Sequence, residues 1–128
     1  MVILLAIKRF DFGGSENHVC DLANTFTQKG HTVLLVAKKG RQINRLSDKV
    51  KFIAVNPIFA FSPFNVFLVA LIILKHRVDV VHGHQRYGIF VACLAGLVTR
   101  RPVVATVHGR TRLDLRTWVS RRIPNRII

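Results

Sequence analysis

Residues 2–7 read Val-Ile-Leu-Leu-Ala-Ile, six apolar side chains with no polar one among them. A strand with one face in water alternates apolar and polar residues, so an unbroken apolar run belongs to a strand covered on both faces. Helices that cross over between parallel strands supply such cover. The opening residues therefore call for strands and helices in alternation, and the rest of the chain can be read against that demand.

After a polar turn from Lys8, the pair Gly13-Gly14 precedes Ser15, which is expected to cap a helix, and Glu16, an acid in the first turn where the helix dipole favours one. Val19, Leu22, Ala23 and Phe26 follow at helical spacing, and Lys29-Gly30 closes the helix by charge and by glycine. Strands are expected over Thr32–Ala37, Val50–Val55, Asp79–His82 and Val103–Val107. Further helices are expected over Phe64–Lys75 and from about Tyr87 to Thr99, with breaks at Asn56-Pro57 and Arg101-Pro102. Lys38–Arg41 reads as a basic loop, Arg110–Arg122 as a basic segment with Trp118 its one aromatic residue, and Asn125–Ile128 as the start of a sixth strand, cut short. The fold class that follows is α/β: a Rossmann-like, doubly wound parallel sheet with right-handed crossovers and helices on both faces. The 128 residues suffice for one such domain and not for two.

Twenty Lys and Arg stand against six Asp and Glu, a formal net charge of +14. Nucleic acid, an anionic membrane and a phosphorylated small molecule all answer to such a charge, and charge alone does not choose among them. Cys20 and Cys93 lie in apolar helical patterns with neither metal-ligand nor disulfide spacing, so both are expected as buried thiols in a reducing compartment. No basic segment or cleavage site precedes the first strand, and the chain is expected to be cytoplasmic. Val66–Leu74 and Ile89–Val98, nine and ten residues long, fall short of the about 20 that cross a bilayer. Both are expected as buried helices. The first, flanked by Lys75, His76 and Arg77, would also suit a helix pressed into lipid headgroups.

Open α/β sheets bind ligands at the carboxyl ends of their strands. Three features fall there: the loop Phe12–Glu16, the trio His82-Gly83-His84 and the trio His108-Gly109-Arg110. Glycines let a backbone approach an anion, and the helix start behind them offers free N–H groups. The loop is neither a GxGxxG nor a Walker sequence, and by itself a tight strand-to-helix turn explains it equally well. His82 and His84 are expected to point to opposite sides of the strand. A zinc site would want a third ligand and usually a carboxylate, which no residue near in sequence supplies, so no metal is expected. An imidazole near a sugar hydroxyl or a phosphate is the better reading for His108, and a hydrogen-bonded core residue the simpler one for His82. No GxSxG elbow occurs. Zinc-finger spacing, a ribonucleoprotein motif and a helix-turn-helix are also missing, and the Phe residues sit in apolar runs, so nucleic acid is not expected as a partner.

Three blocks together carry a resemblance. Phe12-Gly13-Gly14-Ser15-Glu16-Asn17-His18-Val19, then Leu22-Ala23, then Lys29-Gly30-His31-Thr32-Val33 resembles the opening of the family-4 glycosyltransferases. Asp79-Val80-Val81-His82-Gly83-His84 is similar to that family's "DVVH-H" strand, and Arg101–Gly109 to its "P-V-T-H" strand. The resemblance implies a GT-B architecture, in which two Rossmann-like domains face a cleft and the N-terminal one holds the acceptor. It implies a nucleotide-sugar donor as co-substrate, no cofactor and no metal. It also implies a glycan, lipopolysaccharide, polysaccharide or lipid-linked acceptor, often handled at the cytoplasmic face of an anionic membrane. By position, His108 matches the histidine near the transferred sugar and Gly14 the glycine beneath the donor diphosphate, with Gly13, Ser15, Glu16, His82, His84 and Arg110 around them.

An epimerase would show a Tyr-x-x-x-Lys pair, whereas Val91 stands four residues after Tyr87. Nothing after His108 resembles the acidic E-x7-E motif of the family's donor-binding half. The expectation is therefore a single, incomplete N-terminal domain spanning residues 1–128, lacking its C-terminal donor domain and transferring no sugar alone. The alternative is a non-catalytic remnant of the same fold that binds membrane or a partner.

Overall fold

The computed structural model describes residues 1–56, 62–108 and 125–127. Six strands, β1 (Val2–Arg9), β2 (Thr32–Lys38), β3 (Lys51–Ala54), β4 (Val80–His84), β5 (Val103–Thr106) and β6 (Arg126–Ile127), alternate with three helices, α1 (Gly14–Gln28), α2 (Pro63–Lys75) and α3 (Gln85–Thr99). The strands form one sheet in the order β3-β2-β1-β4-β5-β6, and every pairing is parallel. That order is the doubly wound Rossmann order, with the chain reversing its direction of travel between β1 and β4.

The apolar run of β1 serves two cores. Ile3, Leu5 and Ile7 join Val33, Leu35 and Ala37 of β2 beneath Val19, Cys20 and Ala23 of α1. Leu4 and Ala6 face the other way, with Leu34, Val36 and Val81, against Val69, Ile72 and Ile73 of α2 and Ile89, Ala92 and Cys93 of α3. Strand periodicity thus splits one apolar run between two helical layers. Both cysteines are free and buried, and burial pushes the Cys93 thiol up to about 12.

Most element boundaries shift by a residue or two from the sequence expectation. The first strand continues through Lys8 and Arg9, and Phe10 N–H donates to the Lys38 carbonyl at 3.0 Å just beyond it. Ser15 is not the cap of α1. Gly13 occupies that position and Ser15 lies inside the first turn. The helix ends as expected, with Lys29 at the cap and Gly30 at φ 86°. After Gly40 the basic loop winds into a 3₁₀ turn, Arg41–Arg45, which no apolar period announces. Side chains of α1 hold it there. Asn24 Nδ2 donates to the Arg45 carbonyl at 3.1 Å, and Asn17 Oδ1 accepts from Arg45 Nη1 at 2.8 Å and from the Gln42 amide. The sixth strand is confirmed at Arg126–Ile127. Arg110–Arg122 and residues 57–61 lie outside the described residues.

Close backbone approach fixes α3 on the sheet. A Cβ on Gly88 would overlap the Ala6 carbonyl oxygen of β1, and one on Gly83 would stand 2.6 Å from Ile89 Cα. Gly14, by contrast, has nothing within 4 Å of its would-be Cβ. Gly88→Ala is therefore expected to destabilise the fold by about 1–3 kcal/mol through overpacking, while Gly14→Ala leaves the unfolding free energy within about 0.5 kcal/mol of the parent. Urea unfolding of the two variants checks the contrast.

Candidate functional site

The carboxyl ends of β1 and β4 lie side by side, and the loops leaving them run to opposite faces of the sheet. Here α1 starts at Gly14 and α3 at Gln85, so two helix N-termini converge on one crevice. The first-turn N–H groups of each have no acceptor within their own helix.

Gln85 ties the two loops together. It sits at φ 59°, in the left-handed region, a conformation that costs a non-glycine residue about 1 kcal/mol or more and is tolerated where surrounding contacts hold it. Its Nε2 donates to Ser15 Oγ at 2.6 Å and to Glu16 Oε1 at 2.9 Å. Ser15 Oγ in turn donates to Glu16 Oε2 at 2.9 Å. Both oxygens of the Glu16 carboxylate are thereby engaged, and the carboxylate folds back over Gly13, where a Cβ would strike it. Gly14 stays open. On the far side of the loop Asp11 pairs with Arg9 at 3.1 Å and Arg41 at 3.0 Å, and the Arg41 hydrogen bond lowers the Asp11 carboxyl below its usual value. The Arg41 guanidinium also lies over the Phe12 ring at 5.3 Å.

The histidines gather behind the glycine loop. Residues two apart on a strand share a face, and β4 persists through His84. The expectation that His82 and His84 point to opposite sides is therefore wrong. Their ring centroids lie 4.1 Å apart, on the face of the sheet that α1 covers, because His82 is in register with Leu5. His82 Nε2 bonds Thr106 Oγ1 at 2.7 Å, which satisfies it in the way a core histidine should be. His108, just past β5, brings its Nε2 to 3.5 Å from His84 Nδ1. His18, one turn into α1, places its ring 5.8 Å from that of His84 and 5.5 Å from that of His108.

Burial decides the charge of His82 and His84. Desolvation, reinforced by the neighbouring imidazoles, lowers His82 to about 4 and His84 to about 2. His108 is lowered as well, by desolvation first and then by His18, with Glu16 acting in the opposite sense. His82 and His84 are thus neutral at neutral pH. The Nε2 of His84 is buried without a partner. Among the described residues no group of three His, Cys, Asp or Glu has the geometry to hold a metal ion.

Of the sequence-derived site residues, the structure brings Ser15, Glu16, His84 and His108 to one crevice, with Gly13 and Gly14 at its lip and His82 beneath it. Arg110 lies outside the described residues. Sequence reasoning missed Gln85, Thr106 and His18. His18 stood within the matching opening block, and its place three residues after Ser15 on a helix was the available signal. A cavity of about 410 Å³ lined by Gly96, Leu97, Arg100, Arg101 and Asn125 opens at the amino ends of β5 and β6, the wrong end of the strands for this crevice.

Comparisons with known proteins bear on the family and the fold. The sequence profile of Glycosyltransferase Family 4 matches residues 12–128, and the chain belongs to that family. No curated protein sequence matches it significantly. Among solved structures, it is similar to a glycosyltransferase from Rickettsia africae ESF-5 at 24% identity and TM-score 0.73, over 89% of this chain and 31% of that one. It is similar to MurG from Acinetobacter baumannii at 17% identity and TM-score 0.72, over 98% of this chain and 40% of that one. Anabaena Alr3699/HepE, solved in complex with UDP-glucose, gives 18% identity and TM-score 0.75 over 99% of this chain and 36% of that one. The fold is the Rossmann-like half of GT-B glycosyltransferases, and the chain spans about a third of the length of these structures.

The neutral histidines make stability depend on pH with a definite sign. An unfolded histidine takes up its proton near pH 6.5, whereas folded His82 and His84 refuse it until about 4 and about 2. The unfolded state therefore binds more protons below pH 6.5. Stability should fall as pH drops from 6.5 toward 4, at up to about 1.4 kcal/mol per pH unit for each histidine. Denaturant titrations at pH 7, 6 and 5 check this, and His84→Gln should make the slope shallower.

Proposed function

We propose that the chain is the acceptor-side domain of a sugar-nucleotide-dependent glycosyltransferase. The observation that carries the reading is the meeting of the open Gly13-Gly14 loop, the N-terminus of α1 and the neutral His84–His108 pair at the switch point between β1 and β4. Alr3699/HepE, similar in fold, was solved with UDP-glucose, which supports a nucleotide sugar as the donor here.

In the proposed reaction the bond between the sugar's anomeric carbon and the donor phosphate oxygen breaks, and the acceptor hydroxyl oxygen bonds to that carbon as its proton passes to the departing diphosphate. The departing nucleoside diphosphate gains negative charge as the bond breaks. First-turn N–H groups at Gly14 and Ser15 stabilise that charge without needing a metal. Exposed Arg41 adds a cation beside the loop, and Arg110 is proposed as another. His108 acts as a neutral imidazole that hydrogen-bonds the sugar and orients it. His84 and His82 fix its position from below, and Gln85 fixes the Glu16 carboxylate against the glycine loop. The acceptor we propose is a glycan, lipopolysaccharide, polysaccharide or lipid-linked sugar in cell-envelope synthesis at the cytoplasmic face of the membrane. This wall of the cleft transfers no sugar by itself, and a donor-binding domain must complete it.

Radiolabelled sugar transfer tests the reading, using the 128 residues joined to the donor-binding domain of a family-4 enzyme. His108→Ala is expected to lower kcat about 100-fold or more, the cost of removing one positioned donor in such a site. Gly14→Ala should raise the donor KM while leaving stability intact. Undiminished transfer by His108→Ala would remove the histidine from the mechanism, and turnover by the 128 residues alone would refute the need for the second wall.

A further inference from the structure

Helix α1 brings one more imidazole to the crevice than the proposed reaction uses. His18 is exposed, yet its ring is seated. It stands edge-on to the His84 ring at 5.8 Å and 60°, and edge-on to the His108 ring at 5.5 Å and 68°. Those two rings are themselves held. His84 is wholly buried at the end of β4, and its Nδ1 lies 3.5 Å from His108 Nε2. Two edge-to-face contacts give a surface histidine a preferred orientation that solvent alone would not.

The seated ring keeps its polar atoms unused. Among the described residues none hydrogen-bonds either nitrogen of His18. Each nitrogen can donate or accept, according to the tautomer, so a ring that only filled space would need neither.

The place of His18 along α1 shows what the ring faces. Residues four apart share a helix face, and every Cβ leans toward the N-terminus, so a side chain covers the turn before its own. Four residues before His18 stands Gly14, the first residue of α1. Gly14 is exposed, and nothing lies within 4 Å of its would-be Cβ, the His18 ring included. The space between the two is open. Backbone N–H groups border it: Asn17 N–H finds the Gly13 carbonyl at 2.9 Å, while those of Gly14, Ser15 and Glu16 have no carbonyl acceptor within the helix. The acid of this turn is turned away. Glu16 is two residues from His18, about 200° round the helix, and Ser15 and Gln85 engage both of its oxygens.

We propose that His18 is a contact residue for the diphosphate of the nucleotide sugar. An imidazole N–H of His18 donates to a diphosphate oxygen lying over Gly14, and the bond strengthens as the sugar leaves and charge gathers on the diphosphate. His108 then serves the sugar and His18 the leaving group, with His84 packed against both rings. The choice of ligand rests on the sugar-transfer reading.

Two substitutions separate hydrogen bonding from packing. His18→Phe keeps a ring against His84 and His108 and removes the N–H; His18→Gln removes the ring and keeps an N–H. The position is exposed, and circular dichroism checks that both variants fold. Inorganic pyrophosphate is the probe for the 128 residues, followed by nuclear magnetic resonance. It should shift the His18 ring signals together with the Gly14 and Ser15 amides. His18→Phe should weaken its binding about tenfold, the effect of losing one hydrogen bond to a charged group, and His18→Gln less than about threefold. In the joined enzyme used for sugar transfer, His18→Phe should lower kcat about tenfold with a smaller change in the donor KM, and His18→Gln should restore most of the rate. A loss in His18→Gln as large as that in His18→Phe would make His18 a packing residue and overturn the proposal. Pyrophosphate that moves Lys38–Arg41 signals but not those of His18 would overturn it too. If His108→Ala stops transfer while His18→Phe does not, this proposal alone fails; if transfer survives both, the sugar-transfer role of the histidines fails with it.

Discussion

The crevice depends on how closely α3 sits on β1. Gly88 lets the helix backbone rest against the Ala6 carbonyl, and Gly83 lets β4 pass beneath the same turn. Any side chain at either position would lift the start of α3 away from the sheet. Seated as it is, that start delivers Gln85 to Ser15 and Glu16 across the switch point and keeps His84 wholly buried at the end of β4. The glycine loop and the histidine nest are two consequences of one packing contact.

A division of labour follows from the two faces of the sheet. The α1 face carries His82, His84 and Thr106 and receives His18 from above, so polar groups enter an otherwise apolar core. Burying an imidazole is tolerable when the ring stays neutral and finds a partner. His82 finds Thr106, and His84 finds His108. Among the described residues the opposite face carries no buried histidine and is largely apolar through to its outer surface, where α2 exposes Phe64, Phe67, Leu71 and Leu74. Chemistry and apolar contact are thus kept on different sides of β1.

Much of this could be read in the sequence, because local signals governed it. The apolar run of β1, the Lys29-Gly30 stop and the Pro102 break all act within a few residues of themselves. The parallel, doubly wound class followed from the alternation of elements. What escaped was set by contacts distant in sequence. Ser15 was read as a cap, but it is drawn into the first turn and bonded by Gln85, seventy residues on. The 3₁₀ turn at Arg41–Arg45 exists because Asn17 and Asn24 of α1 reach it, and the loop's own residues do not announce it. His82 and His84 were assigned to opposite sides, although the period of a strand places residues two apart together once the strand persists past His82. Thr106 and Gln85 carry no chemical signature until the fold sets them beside a histidine and a carboxylate.

The account turns on a histidine nest that is assembled on one face and in which His82 and His84 stay uncharged. Nuclear magnetic resonance of the imidazole nitrogens, with ring-to-ring contacts recorded on the same sample, reads both properties together. The account predicts contacts linking the rings of His82, His84 and His108, with His18 against the last two, and neutral His82 and His84 signals at pH 5.5. A His84 ring that titrates near 6.5 like a free histidine, or that shows no contact with His82 or His108, would contradict it.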